Sequence, residues 1–278
     1  MTSEENGLAF RRTLWRMESL RITDRDQKVI MDWREWSRPK RSYHWKAGRS
    51  AMELARAWFT APAPVVPPEV AAILETSPLT KGTILLSGQP EYVTPLPEPG
   101  EGRNHDLWLK GSVADGSVTV CVEAKADEPF GDPIGHYVER VLAKTARLGQ
   151  GTRLPQRADT LLRIIFGQEA SARTAPWNNL RYQLLTGVAG TAIQAAKDDS
   201  SVGVFLVHEF LAEAVDREGR VPENAAAFAD FIKVLSHTSE IEVTRGKLYG
   251  PYDVRQCNQV SRDIKLLIGK ITYDWDNP

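Results

Sequence analysis

The sequence NHDLWLK occupies residues 104–110, and VCVEAK follows at residues 120–125. Both stretches have the short, alternating pattern that is typical of β-strands. The residues between them include Asp115-Gly116, and Asp-Gly between two such runs is a strong hairpin signal. We therefore predict a hairpin of two strands, about His105 to Lys110 and Val118 to Lys125.

The second strand of this hairpin carries charge on one face only. Because side chains alternate along a strand, Glu123 and Lys125 point the same way, and the apolar residues between and before them point into the core. Strand pairing can bring Asp106 beside Glu123. Two adjacent carboxylates raise each other's pKa unless a cation lies between them, and such oxygen ligands bind a hard divalent ion, Mg²⁺ or Mn²⁺. Lys125 adds a fixed positive charge for an attacking hydroxide or a phosphorane.

The rest of the chain predicts an α/β protein with a mixed sheet. Helical spacing of apolar residues predicts helices over residues 47–59, 68–74, 134–148, 157–166, 179–197 and 225–235. Short apolar runs predict further strands at residues 83–86, 92–94, 202–207 and 264–273, and the run at 202–207 suits a strand buried on both faces. A turn at Gly88-Gln89-Pro90 is expected to separate the first two of these strands.

Composition narrows the class of protein. Of 278 residues, 42% are hydrophobic and 26% are charged, as in ordinary globular proteins. No apolar run reaches the ~18 residues of a membrane span, the acidic start does not resemble a secretory signal, and two cysteines are too few for a disulfide framework. Motifs of zinc hydrolases, NTPases and serine hydrolases are absent. We expect a cytoplasmic protein with no membrane partner.

The N-terminal segment, residues 1–45, is distinguished by its charge from residues 46–278, which are expected to form the main α/β domain. Between residues 10 and 49 there are twelve basic and five acidic residues, a balance of +7, whereas the whole chain carries a net charge of -1. Interleaved aromatic residues are Trp15, Trp33, Trp36, Tyr43 and Trp45. This mixture suits phosphate contact and base stacking. The alternative is that the tryptophans dock on the main domain and leave a solvated basic face.

At Asp106, Glu123 and Lys125 the sequence resembles the PD-(D/E)XK nuclease superfamily, whose signature is an aspartate on one strand and Glu/Asp-x-Lys on the next. The stretches KAGRSA at 46–51 and RYQLL at 181–185 are similar to an uncharacterised bacterial branch of it. The resemblance covers about residues 47–210. It implies a restriction-endonuclease-like αβββαβ core, with extra helices inserted after the third strand and a C-terminal extension. His105 stands where that superfamily has a proline.

The resemblance also implies roles for the signature residues. Asp106 and Glu123 would bind Mg²⁺ or Mn²⁺, and Ala124 would contribute its carbonyl oxygen. Lys125 would position the nucleophilic water. The implied activity is a metal-dependent phosphodiesterase that cuts DNA or, as the second choice, RNA.

Two further side chains are assigned by the resemblance alone. Gln183 would be the glutamine that often stands near the site on the helix after the signature. The acid that the superfamily often carries on its first helix would be Glu53 as a metal ligand, with Glu91 as the rival. The alternative to an enzyme is a catalytically inactive module of the same fold that binds nucleic acid or a protein. Whether the protein works as a homodimer or with a partner subunit is left open.

Overall fold

A computed structural model describes residues 19–39, 45–126, 128–211 and 220–274. Within these residues a seven-stranded mixed sheet has helices packed on both faces, so the predicted α/β class is confirmed. The strands are β1 (Arg21–Ile22), β2 (Ile84–Thr94), β3 (Arg103–Val113), β4 (Gly116–Lys125), β5 (Val202–Leu211), β6 (Lys247–Val254) and β7 (Ile264–Asp274). The helices are α1 (Ser50–Trp58), α2 (Pro68–Leu74), α3 (Ile134–Arg147), α4 (Leu154–Phe166), α5 (Tyr182–Lys197) and α6 (Arg220–Leu235).

The strands lie in the order β1-β2-β3-β4-β5-β7-β6. Strands β2, β3 and β4 form an antiparallel meander, whereas β5 and β7 continue the sheet in parallel and β6 closes its far edge antiparallel to β7. A parallel neighbour requires a long crossover connection. Helices α3, α4 and α5 provide the crossover between β4 and β5.

The predicted hairpin is present in β3 and β4. Its ladder extends from the pair Leu107–Val122 to the pair Val113–Gly116, and Gly116 has a φ of +138° that favours glycine in the turn. The apolar face of β4 packs with α1 and α2 in one hydrophobic cluster, as the alternation predicted. The opposite face of the sheet carries a second cluster with α3, α4, α5 and α6.

Helix α5 lies close against the sheet because it presents glycine where the two meet. A Cβ atom at Gly187 would lie 2.5 Å from the ring of Phe205, and one at Gly190 would lie 3.0 Å from Cγ of Arg103. These approaches leave no room for larger side chains. The beginning of α5 is thereby held near the ends of β3 and β4.

Strand β2 differs from the prediction of two short strands. It runs without a break from Ile84 to Thr94, so Gly88-Gln89-Pro90 is not a turn. The carbonyl of Gly88 accepts a hydrogen bond from Thr23 N, so the backbone polar groups of Gly88 point toward β1. Pro90 lies two residues further along the strand, and its backbone polar groups therefore point the same way. Because β1 pairs only with Ser87 and Gly88, the missing N–H of Pro90 leaves no ladder bond unmade. Strand β6 was also not predicted, since Gly250-Pro251 lies at the irregularity in its pairing.

The described part of the N-terminal segment packs on the same core as the rest of the chain. Strand β1 pairs with β2, and Leu20, Ile22, Ile30 and Trp36 are buried in the cluster of α1 and α2. Trp15 and Tyr43 lie outside the described residues. None of the helices described is long and apolar enough to cross a membrane.

Candidate functional site

A cleft of about 670 Å³ opens where β4 ends and α1 and α5 begin. It brings together residues that are far apart in sequence, and six of those singled out by the sequence line it: Glu91, Asp106, Glu123, Ala124, Lys125 and Gln183. The charged face of the hairpin therefore points into an open space rather than along a flat surface.

Asp106 lies at a local irregularity of β3. His105 faces α5 and Leu107 faces the α1 and α2 cluster, although simple alternation would place both on one face. The same shift occurs on β2 at Glu91, which has a φ of +53°. Asp106 Oδ2 accepts a hydrogen bond of 2.7 Å from the backbone N–H of Ala124. The side chain of Asp106 is thus fixed against the strand that carries the Glu-x-Lys sequence.

Glu123 is buried and paired with two cations. Arg103 Nη2 donates to Oε2 of Glu123, and Lys125 Nζ lies 2.8 Å from Oε1. Lys125 Nζ also donates to Oε1 of Gln183 at 3.0 Å. Sequence reasoning missed Arg103, because strict alternation would direct it away from the face of Asp106 and Trp108. The face shift at Asp106 turns Arg103 toward α5 and Glu123.

Burial changes the ionisation of both signature groups. It raises the pKa of Asp106, against the opposing effects of Lys125 and of the Ala124 N–H. It lowers the pKa of Lys125 to about 8, against the opposing effect of Asp106. Both groups are therefore held in an environment that disfavours their charges. A bound cation near Asp106 would favour its ionised form.

The cleft is acidic. Among the described residues that line it, six carboxylates face only two cationic side chains; the carboxylates are Glu91, Glu101, Asp106, Glu123, Glu128 and Asp132, and the cations are Lys125 and Arg140. Oxygen donors of this kind fit a hard divalent cation. No three acidic, histidine or cysteine side chains of the described chain already converge as a metal site. Asp106, Glu123 and the carbonyl of Ala124 are the oxygen donors in the cleft that could hold such an ion, although both oxygens of Glu123 are paired with Arg103 and Lys125.

The structure does not bring Glu53 into this cleft. Its buried carboxylate accepts from Gly48 N at 2.7 Å and pairs with Arg56 Nη1 at 3.3 Å. The carboxylate is therefore used within the first turns of α1. The rival acid, Glu91, does line the cleft and accepts from Asn104 Nδ2 at 2.5 Å.

A surface of tryptophan and arginine is formed by the described part of the basic segment together with α1. The rings of Trp33 and Trp45 are 6.5 Å apart, and the guanidinium groups of Arg34 and Arg56 lie 4.7 Å and 5.0 Å from the Trp33 ring. Arg38 lies 5.8 Å from the ring of Trp45. We call these five residues the Trp–Arg surface. Trp33 and Trp45 thus pack against the domain core, and arginine side chains lie over their rings.

The fold and the cleft define an α/β protein with an acid–lysine–glutamine cluster, in which Glu123 and Lys125 are buried, at the open end of an antiparallel hairpin. The chain belongs to the family described as a domain of unknown function, DUF6946, whose sequence model matches residues 27–274. No curated protein and no solved structure gave a match. The family match begins within the basic segment that the sequence analysis separated at residue 45.

Proposed function

We propose that this protein is a metal-dependent nuclease with a restriction-endonuclease-like core. One observation carries the proposal: Lys125 Nζ bonds both Glu123 and Gln183, although Gln183 lies 58 residues further along the chain. Asp106 lines the same cleft. Five of the residues assigned by resemblance, Asp106, Glu123, Ala124, Lys125 and Gln183, therefore line one cleft, whereas Glu53 does not.

The order of elements supports the same proposal. Helix α1 precedes the β2-β3-β4 meander, and α5 crosses over to the parallel strand β5. This succession corresponds to the αβββαβ order implied by the resemblance. Helices α3 and α4 would then be the insertion after the third strand, and α6, β6 and β7 the C-terminal extension.

Asp106 and Glu123, with the carbonyl of Ala124, would hold the metal ion. When bound, Mg²⁺ or Mn²⁺ lowers the pKa of water and compensates the negative charge of the phosphorane. Lys125 would orient the attacking water, since Gln183 fixes its Nζ at 3.0 Å. Its charge would also stabilise the negative charge that develops on the phosphate. Nucleic acid, DNA before RNA, is the proposed substrate.

A second candidate function is supported by Arg103. Its guanidinium already pairs with the carboxylate that a metal would need, and the whole group is buried under α5. In a catalytically inactive binding module, Arg103 would neutralise Glu123 permanently in place of a metal. Calorimetric titration with Mn²⁺ separates the two candidates. If the protein is a nuclease, the wild type binds Mn²⁺. If it is an inactive module, Mn²⁺ binding appears only in the Arg103→Gln variant.

Cleavage by the wild type and by Lys125→Ala tests the nuclease proposal directly. With Mg²⁺ or Mn²⁺ and single- or double-stranded DNA or RNA, we expect Lys125→Ala to lower the rate by about 10²–10³ and to keep metal binding. Lys110→Ala is the matched control, since Lys110 bonds Asp198 O at 2.7 Å and does not line the cleft. Equal rates for wild type and Lys125→Ala would show that the mechanism is wrong. If the wild type neither cleaves nor binds metal, the module is the better description.

A further inference from the structure

Two tyrosines and one arginine line the cleft beside Lys125. The rings of Tyr137 and Tyr182 stack with centroids 4.6 Å apart and planes inclined by 29°. The guanidinium of Arg140 lies 5.2 Å from the centre of the Tyr137 ring. All three line the cleft, and both tyrosines are only half-buried. We call these three residues the tyrosine platform.

The platform is held in place by bonds between its two chain segments. Tyr182 N donates to Asp132 O at 3.1 Å, and Ile134 N donates to Leu180 O at 2.8 Å. Arg140 Nη2 is fixed by Asp132 Oδ2 at 2.6 Å. The rings are therefore in position before any ligand arrives, so little conformational entropy is lost on binding.

The platform lies one residue from the proposed catalytic cluster. Tyr182 immediately precedes Gln183, whose side chain accepts the hydrogen bond from Lys125. A nucleotide whose phosphate reached Lys125 would therefore have its neighbouring base within reach of these rings.

We propose, resting on the nuclease function, that the tyrosine platform stacks on an unpaired nucleobase, so that the substrate is single-stranded nucleic acid. Half-buried aromatic rings in a cleft that six carboxylates also line offer a flat apolar surface to a ligand, and every base has a matching π-face. In a duplex both faces of each base are covered by its neighbours. The guanidinium of Arg140 also suits a cation–π contact with the stacked base.

The charge of the cleft favours the same substrate. Among the described residues, six carboxylates line it against four cations in or paired with the lining, Arg25, Arg103, Lys125 and Arg140, and this excess of acids repels each additional phosphate. A duplex carries about twice the phosphate charge of a single strand per unit length. Burial raises the pKa of Tyr182 to about 12, so its phenol stays neutral and adds no further negative charge at neutral pH.

Binding of fluorescent oligonucleotides to the full chain tests this inference. Fluorescence anisotropy is measured in Ca²⁺, which takes oxygen ligands like those of Mg²⁺, and again in EDTA. The probes are single-stranded DNA, single-stranded RNA of the same sequence, and the DNA duplex. Tyr137→Ser removes the ring, Tyr137→Leu keeps apolar bulk without a π-face, and Tyr137→Phe is the matched control.

We expect single strands to bind more tightly than the duplex. Tyr137→Ser and Tyr137→Leu should weaken single-strand binding by about tenfold, which corresponds to ~1.4 kcal/mol, while Tyr137→Phe binds like the wild type. A difference between the DNA and RNA strands identifies the sugar that is preferred. The inference is overturned if the wild type binds no single strand, if it prefers the duplex, or if Tyr137→Leu binds single strands unchanged.

Failure of the inference and failure of the nuclease proposal give different results. Cleavage of duplex DNA that depends on Lys125 but not on Tyr137 would contradict the inference about the tyrosine platform and support the nuclease proposal. Single-strand binding that depends on Tyr137, without metal binding or cleavage, would support the inference about the tyrosine platform and contradict the nuclease proposal.

Discussion

Two buried glutamate–lysine pairs lie side by side on one face of the sheet. Glu123 and Lys125 belong to β4, Glu209 to β5 and Lys270 to β7, and Lys125 is the register partner of Glu209. Both pairs have a closest N–O distance of 2.8 Å. Their side chains are 3% and 5% exposed in the first pair and 1% and 6% in the second. Burial and distance therefore do not distinguish them.

The difference lies in access and in additional partners. Glu123 has two cationic partners, and Lys125 also bonds Gln183 at the cleft that Asp106 lines. Glu209 and Lys270 are absent from the cleft lining, and both carboxylate oxygens of Glu209 lack a hydrogen bond of good geometry among the described residues. A buried ion pair by itself therefore does not indicate a functional site. The features that distinguish the Glu123–Lys125 pair are the additional carboxylate of Asp106 and the open cleft beside it.

The largest expected effect concerns Lys270. Lys270→Met leaves Glu209 buried without a cation, which should lower the free energy of unfolding by about 3–5 kcal/mol in urea denaturation. Lys125→Met should cost less, because Glu123 keeps Arg103. Lys265→Met is the control, since its ion pair with Asp253 is half exposed at 52% and 50% and therefore contributes little to stability. Equal effects of Lys125→Met and Lys270→Met would remove the distinction between the two pairs.

The second prediction is that metal binds beside the Glu123–Lys125 pair and not beside the Glu209–Lys270 pair. Mg²⁺ at tenfold over its dissociation constant should add about 1.4 kcal/mol of stability and raise the melting temperature by roughly 3–5 °C. Asp106→Asn should abolish this rise in differential scanning fluorimetry, and the raised pKa of Asp106 predicts a more stable apo protein. Glu209→Gln, at the second pair, should retain the rise. Identical melting curves of the wild type in EDTA and in Mn²⁺ would argue against a metal site.

A third, smaller effect compares two buried histidines, His105 on β3 and His208 on β5. Burial lowers the pKa of His105 well below its usual value, and neither ring nitrogen has a hydrogen-bond partner among the described residues. Burial also lowers the pKa of His208, but Glu69, at 2.9 Å from its Nε2, opposes the shift. Because the unfolded state then binds more protons, stability falls as the pH drops below about 6.5, by at most ~1.4 kcal/mol per pH unit for each histidine.

His105→Leu should therefore flatten the fall of unfolding free energy between about pH 6.5 and 5 more than His208→Leu does. It also removes an unsatisfied buried polar group, so its stability at pH 7 should be equal to or above that of the wild type. Urea denaturation across this pH range provides the measurement. A flatter slope in His208→Leu than in His105→Leu would contradict the assignment of the larger pKa shift.

The smallest effect concerns nucleic-acid binding outside the cleft. Replacing Arg34 and Arg38 of the Trp–Arg surface with glutamine should reduce the salt slope of binding by about 0.7–0.9 log units for each phosphate that is no longer neutralised. Arg255→Gln is the control, since Arg255 pairs with Asp263 at 3.1 Å away from the cleft. An unchanged slope in the double variant would make the Trp–Arg surface a structural feature only.

Most helices, the hairpin and the buried strand β5 were predictable because each depends on local spacing. Helix α2 has the predicted bounds, since Pro68 and the apolar residues behind it define one amphipathic segment. The continuity of β2 was not predictable, because the tolerance of Pro90 depends on where β1 ends. The position of Glu53 was not predictable either, since its bonds to Gly48 and Arg56 depend on the conformation before α1.

The sequence by itself determined the α/β class, the hairpin and the placement of Asp106, Glu123 and Lys125 upon it, because period-two alternation and an Asp-Gly turn act over a few residues. Only the tertiary structure decided the rest of the site. Arg103 reaches Glu123 because the face alternation shifts at Asp106 and glycine lets α5 approach. The tyrosine platform meets Gln183 because backbone bonds join segments about 50 residues apart. Such interactions depend on how whole elements pack, and no local pattern of residues encodes them.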